Sequence, residues 1–288
     1  IIGTHAVVQE GVTYKDLSLV IYDEQHRFGV SQRLKLKEKA EDYPHQLLLS
    51  ATPIPRTMAM GVLSGLDIST IKSLPPNRTP IVTTTLPNNR RDALINRIKS
   101  AINKNSQVYW VCPLIDESES ELIGIEDLEK ILKKEFDSQD YEIIHGKMKD
   151  MDKQKILSDF KEKKTKILLA TTVIEVGIDV PDANIMVIEN SERFGLAQLH
   201  QLRGRVGRGE KESFCILMHN DSLTELPEKR LQIITETNDG FVIAEEDLKL
   251  RGPGDILGLS QTGQPSFTFF DLLANEELQG EAERLAQE

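Results

Sequence analysis

Residues 166–189, KILLATTVIEVGIDVPDANIMVIE, hold two short apolar runs, Lys166–Ala170 and Asn184–Glu189, on either side of a segment with two threonines, a glycine and an aspartate. Short apolar runs bounded by turn residues read as buried strands. Where they alternate with amphipathic stretches, they read as the strand–helix repeats of a parallel sheet. The alternation extends outward from this stretch in both directions. It predicts further strands at Leu17–Tyr22, Gln46–Leu49, Ile81–Leu86, Val108–Ile115, Tyr141–Ile144 and Ser213–His219. Helices are predicted at Ile54–Leu63, Asp92–Asn103, Ile125–Phe136, Asp150–Lys163 and Ala197–Arg203. Residues 81–220 therefore supply enough strands for a whole doubly wound α/β domain, whereas residues 1–74 supply two and read as the second half of another. Half a sheet leaves an unpaired edge and an uncovered face, so self-association through that part is expected. The proline-rich stretch Ser73–Pro80, SLPPNRTP, places a linker at 75–80. After His219 the pattern turns helical and then glycine-rich, in RGPGDILGLSQTGQP, giving a last segment at 221–288.

The chain has 288 residues and a mass of 32.5 kDa, with 39% hydrophobic and 28% charged residues. It has no apolar run near the roughly 18 residues of a membrane span, and reads as soluble, cytoplasmic and free of membrane. Cys112 in VYWVCPLI and Cys215 in SFCILM lie in apolar runs and read as buried thiols. The opening IIGTHAVVQEG has neither a starting Met nor the character of a signal peptide, and points to a fragment of a longer protein. The net charge of −11 is unevenly spread. Residues 1–80 carry 9 basic and 8 acidic side chains, residues 81–220 carry 21 and 23, and residues 221–288 carry 5 and 15. A protein that grips nucleic acid through bulk charge is basic overall or along one face, so any such contact here is local.

Four stretches carry candidate chemistry. In LVIYDEQH, residues 19–26, an apolar run ends in two carboxylates, Asp23 and Glu24. Ligands of open α/β sheets bind beyond the carboxyl ends of the strands, where one carboxylate can hold Mg²⁺ through water and the other can orient or deprotonate an attacking water. A polar strand-to-helix turn is the plainer reading of the same residues. Ser50-Ala51-Thr52 follows the next strand, and alone is an ordinary strand end. Thr171 and Thr172 open the segment Ala170–Asn184, whose hydroxyls and amides suit phosphate contacts or a simple turn. In QLRGRVGRG, residues 201–209, Arg203, Arg205 and Arg208 stand among three glycines. That spacing gives up helix propensity to place guanidinium forks, which match phosphate oxygens. No metal-ligand spacing of His or Cys and no nucleophile–base set occurs, so neither a structural metal nor covalent catalysis is expected.

In this order, DEQH, SAT, TTVIEVGIDVP and QLRGRVGRG resemble motifs II, III, V and VI of superfamily 2 helicases. The longer words GTHAVVQEGV, DEQHRFGVSQR, SATPIPRTMAM and DGFVIAEEDLKLRGPGDILGLSQTGQPSF resemble the RecG branch-migration helicases over essentially the whole chain. The similar transcription-repair translocases of the Mfd type share the tail but typically carry Gln-Arg at the Gln25-His26 step. The resemblance implies RecA-like doubly wound parallel sheets, one partial and one complete, followed by a helical hairpin and a loop that drive translocation. It implies an ATP-dependent DNA helicase remodelling stalled forks and Holliday junctions in recombination and repair. An Mfd-type translocase, an RNA helicase and a non-catalytic interaction module are the alternatives.

Residue by residue, the resemblance implies that Asp23 coordinates Mg²⁺ through water, Glu24 is the general base, and His26, Ser50 and Thr52 couple the domains. Asp179 meets the ribose or the motif VI arginines, Arg205 and Arg208 reach the γ-phosphate beside Gln201, Thr171 and Thr172 contact the DNA backbone, and Arg251 and Gln261 turn domain closure into movement on duplex DNA. ATP and Mg²⁺ are the implied cofactors, and branched double-stranded DNA is the implied partner. The family's phosphate loop, GxxxxGK[ST], has no counterpart in these residues, nor has its wedge module that recognises branched DNA. The chain by itself is therefore expected neither to hydrolyse ATP nor to hold a tightly bound cofactor.

Overall fold

The computed structural model describes residues 1–9, 11–24, 35–36, 39–40, 43–50, 67–71, 73, 79–113, 123–171, 180–209, 211–251 and 285. The chain divides into two compact units, Ile1–Pro53 and Ile54–Glu288. The predicted helix Ile54–Leu63 and most of the predicted linker lie outside the described residues. Among the described residues no helix is long and apolar enough to cross a membrane.

In the first unit, β1 (Leu19–Tyr22) pairs in parallel with β2 (His45–Leu48), Leu19 opposite His45 and Tyr22 opposite Leu48. Side chains alternate across a strand. Val20 and Tyr22 point to one side and are buried with Val8 and Leu36, whereas Leu19, Ile21 and Leu47 are each about half exposed. The pair is thus covered on one face and bare on the other. Leu49 N–H donates to Tyr22 O (2.8 Å), carrying the pairing one step past the strands.

The second unit is built on six parallel strands in the order β3-β8-β7-β4-β6-β5. The strands are β3 (Ile81–Pro87), β4 (Gln107–Val111), β5 (Tyr141–Ile144), β6 (Ile167–Ala170), β7 (Ala183–Ile188) and β8 (Ser213–His219). Between and after them run α1 (Arg91–Ile102), α2 (Ile123–Glu135), α3 (Asp150–Lys161), α4 (Leu196–Arg203), α5 (Glu225–Glu236) and α6 (Gly240–Arg251). The two faces of the sheet bury separate cores. Val108 and Trp110 of β4, Ile167 and Leu169 of β6, and Ile185 and Val187 of β7 pack under α1 and α2. Their alternating neighbours Tyr109, Val111, Leu168, Ala170, Met186 and Ile188 pack under α3, α4 and α5. A sheet with no wet face needs near-continuous apolar strands, as the sequence of these runs dictates.

Most expected element ends fall within two residues of those observed. The strand predicted to run to Ile115 stops at Val111. Cys112 N–H still donates to Ala170 O (2.9 Å), but Pro113 has no N–H with which to continue the ladder. Cys112 and Cys215 are both free and buried, and burial pushes each thiol up to about 12, with the nearby Glu189 carboxylate adding to the effect at Cys112.

The chain leaves β4 towards β5 on one side and leaves β7 towards β8 on the other, so the crevice between β4 and β7 is the point where the winding reverses. Glu189 closes it. Its carboxylate is 3% exposed and accepts from Trp110 Nε1 (2.9 Å), Arg91 Nη2 (2.9 Å) and Arg91 Nη1, while its own N–H donates to Val111 O (2.8 Å). Glu189→Ala strands the Arg91 guanidinium and the Trp110 N–H together. It is expected to cost on the order of 3 kcal/mol in urea unfolding, with Glu189→Gln costing less because it keeps an acceptor.

Candidate functional site

In the first unit the candidate groups collect at the carboxyl ends of the two strands. Asp23 follows Tyr22 and is exposed. Glu24 is half-buried, with a left-handed backbone (φ 52°), a conformation uncommon outside glycine and frequent where a side chain must be aimed. Ser50 is exposed and follows Leu49, which is bonded to Tyr22, so Asp23 and Ser50 continue from neighbouring strand ends. An exposed carboxylate beside a hydroxyl fits a hydrated Mg²⁺ held through water. Among the described residues no group of three or more His, Cys, Asp and Glu side chains is placed to hold a metal directly. His26 and Thr52 lie outside the described residues.

In the second unit Thr171 follows β6 and is fully buried, its N–H on Ile144 O (3.4 Å) and its hydroxyl without a partner among the described residues. Thr172 and Asp179 lie outside the described residues, as does Gln261. Arg251 is the last residue of α6.

The arginine segment is the best-defined part. Gln201 is half-buried on α4, and the chain then turns at Gly204 and runs to Gly209. Its three arginines have different fates. Arg208 is exposed, its Nε 3.5 Å from Gly204 O, and Arg205 is half-buried. Arg203, expected to join them in phosphate binding, is 2% exposed and faces away. Its Nη1 donates to Ile234 O (2.7 Å) and Thr237 O (2.8 Å), and its Nη2 to His200 Nδ1 (3.0 Å). Burial lowers its pKa from the ordinary value, but the acceptors sit at the C-terminus of α5, where last-turn carbonyls and the helix dipole favour a cation. Arg203 is thus a structural tie from α4 to α5, and α6 packs against both.

The periodicity carried this signal: Leu196, Leu199 and Arg203 stand at i, i+3 and i+7, which puts the arginine on the apolar stripe. A second tie went unread because it rests on main chain. Arg230 of α5 donates to Phe194 O (2.8 Å) and Glu192 O (3.1 Å), fixing the turn that follows β7. Asn220, bridging Glu192 Oε1 (2.7 Å) and Asn88 Nδ2 (3.1 Å), extends the network to the end of β3.

Two glycines hold the arginine loop against the sheet. Gly207 has φ +78°, and a Cβ there would stand 2.9 Å from Ile81 Cγ1; a Cβ on Gly209 would stand 2.5 Å from Pro181 O. Gly204 has ordinary helical geometry and room for a methyl group.

Comparison with known proteins follows the same outline. A model of the helicase conserved C-terminal domain matches residues 89–210, and one described as ATP-dependent DNA helicase RecG, domain 3, C-terminal, matches residues 237–279. The chain is 52% identical over 283 residues to the ATP-dependent DNA helicase RecG of Pasteurella multocida, covering 96% of this chain and 41% of that protein. It is 50% identical over 292 residues to the protein of that name from Escherichia coli K12, covering 100% of this chain and 42% of the relative. The chain therefore spans about two fifths of the length of these relatives. Among solved structures, RecG bound to a three-way DNA junction superposes with a TM-score of 0.71 at 42% identity, over 96% of this chain and 35% of that one.

The loop geometry sets opposite expectations for two adjacent substitutions. Gly207→Ala is expected to lose about 1–3 kcal/mol by forcing a side chain into a left-handed position against Ile81. Gly204→Ala is expected to gain about 0.4–1 kcal/mol by restricting the unfolded chain. Thermal unfolding of the two variants beside the parent measures both.

Proposed function

We propose, since this chain belongs to the RecG family of helicases, that it forms part of an ATP-driven motor that remodels branched DNA such as stalled forks and Holliday junctions. The observation that carries this reading is the identity of about half of the residues over alignments that span essentially the whole chain. The junction-bound relative supplies the branched-DNA part of the proposal.

We read residues 1–74 as the second half of the first RecA-like domain, 75–80 as the linker, 81–220 as the second RecA-like domain and 221–288 as the translocation module. Asp23 holds Mg²⁺ through water, and the ion would neutralise nucleotide phosphate charge. Glu24 orients or deprotonates the attacking water, its left-handed backbone aiming the carboxylate. Arg208, exposed on the loop, meets the charge that develops on the transferred phosphoryl group, with Arg205 and Gln201 in support. Asp179 acts on the ribose or on these arginines. His26, Ser50 and Thr52 couple nucleotide state to domain position, Thr171 and Thr172 serve the DNA backbone, and Arg251 and Gln261 act on the duplex. Arg203 is a positioning residue in this scheme. It fastens α4, which carries the arginine loop, to α5 and so to the module that moves on DNA.

The bare face formed by Leu19, Ile21 and Leu47 supports self-association of the isolated chain, and light scattering is expected to give a mass above the monomer. In the full-length protein, Glu24→Gln and Arg208→Ala are each expected to lower junction-stimulated ATP turnover by roughly 10³-fold or more while sparing junction binding. The isolated chain, without a phosphate loop, is expected to give no turnover. Retained turnover in both variants overturns the catalytic roles.

A further inference from the structure

One corner of the six-stranded sheet departs from the rule that parallel sheets are covered on both faces. At the amino ends of β3 and β8, on the side covered elsewhere by α1, Val82 and Phe214 lie opposite each other in register and are 44% and 36% exposed. Phe214 is also in register with Ile185 of β7, so an apolar strip crosses three strands. Helix α1 borders this strip through Asn96, Arg97, Ser100 and Ala101 without covering Phe214. What remains is a groove of about 640 Å³ with Ala101, Ile185 and Phe214 in its floor.

The rim is polar and mostly cationic. Arg97 and Lys104, two turns apart on and just after α1, are exposed, and their side chains make no ion pair or hydrogen bond among the described residues. Lys211 stands on the other side, engaged with Asp182 (3.3 Å) and Asn105 O (3.0 Å), next to Glu212. In the wall, Asn184 is 7% exposed. Its amide N–H donates to Glu212 O (3.0 Å), which fixes the wall to the segment that enters β8.

We propose that this groove docks a short acidic segment of a partner protein, one apolar side chain seated on Phe214 and its flanking carboxylates facing Arg97 and Lys104. Charge complementarity selects the occupant. Free cations over an apolar floor suit carboxylates that flank a hydrophobic side chain. A nucleic-acid strand asks instead for a continued track of cations. Here Glu212 interrupts the rim, and residues 81–220 carry 21 basic against 23 acidic side chains. The groove shares no lining residue with the catalytic groups assigned above.

The test uses the whole chain and two fluorescein-labelled short peptides, one with a central Phe flanked by Asp and Glu, the other with the same Phe flanked by Lys. Anisotropy is expected to show saturable binding of the acidic peptide only, weakening severalfold as salt rises from about 50 to about 300 mM. The double variant Arg97→Glu/Lys104→Glu is expected to weaken it roughly tenfold or more, about 1.4 kcal/mol. Both side chains are exposed and unpaired, so the fold is untouched, and an unchanged thermal transition checks this. Phe214→Ser is expected to abolish binding without restoring it at low salt. Equal binding by the parent and the double variant, equal binding of the basic peptide, or displacement of the acidic peptide by a thymidine oligonucleotide overturns the proposal.

Discussion

A parallel sheet has no side that tolerates water, and most of this molecule follows from meeting or failing that constraint. In the second unit the requirement is met by sorting each strand's residues between two cores, so that Tyr109 and Trp110, adjacent in sequence, belong to opposite faces. The largest buried polar side chains there are held by specific partners. Gln107, 1% exposed, gives its amide to Phe160 O (2.6 Å) and Thr165 O (3.0 Å), and Glu189 is enclosed by Arg91 and Trp110. In the first unit the same constraint is met on one face alone, where Val20 and Tyr22 are covered and Leu19 and Ile21 are not.

The arginine loop shows how a packed scaffold divides labour among identical side chains. Arg203 falls on the apolar stripe of α4 and is drawn to the free carbonyls at the end of α5, where its charge completes a helix terminus. Once that guanidinium is fixed, the glycines that follow set the rest. Gly207 and Gly209 bring the backbone against Ile81 and Pro181 more closely than any side chain permits, which holds Arg205 and Arg208 on a short tether. The buried arginine and the tight glycines together give the exposed arginine a defined origin. Such an arrangement suits a group that stabilises charge appearing only during phosphoryl transfer.

Legibility in the sequence followed the length scale of the forces involved. Apolar periodicity is local, and among the described residues it located all eight strands and the four helices of the second unit that precede its last strand, with β5 and β8 correct at both ends. The uncovered face of the first unit was also legible, because a two-stranded parallel sheet cannot bury both sides of itself. Partners chosen by the tertiary fold were not. Nothing in the run IEN announces that Glu189 meets an arginine 98 residues earlier, and Arg203 looked like its neighbours because its acceptors are main-chain carbonyls without a sequence signature. Of the candidate site residues, His26, Thr52, Thr172, Asp179 and Gln261 lie outside the described residues, so the carboxylate pair and the arginine loop carry the structural argument.

The groove beside Phe214 arises from the same constraint as the core. Strand β3 is the edge of the sheet, and the amino end of β8 beside it is left partly exposed; Ile102 ends α1, and the chain turns through Asn103–Asn105 to enter β4 in the middle of the sheet. A helix that must deliver the chain three strands further in cannot also roof the corner it leaves behind. The corner keeps its strand-type residues, Val82 and Phe214, because every second position must still face that side. The cations at the rim come from the end of α1 and from the segment entering β8, both at the amino ends of the strands. Apolar floor and basic rim are therefore consequences of one crossover, and they make a site for an acidic, apolar-tipped ligand on a chain whose own net charge is −11.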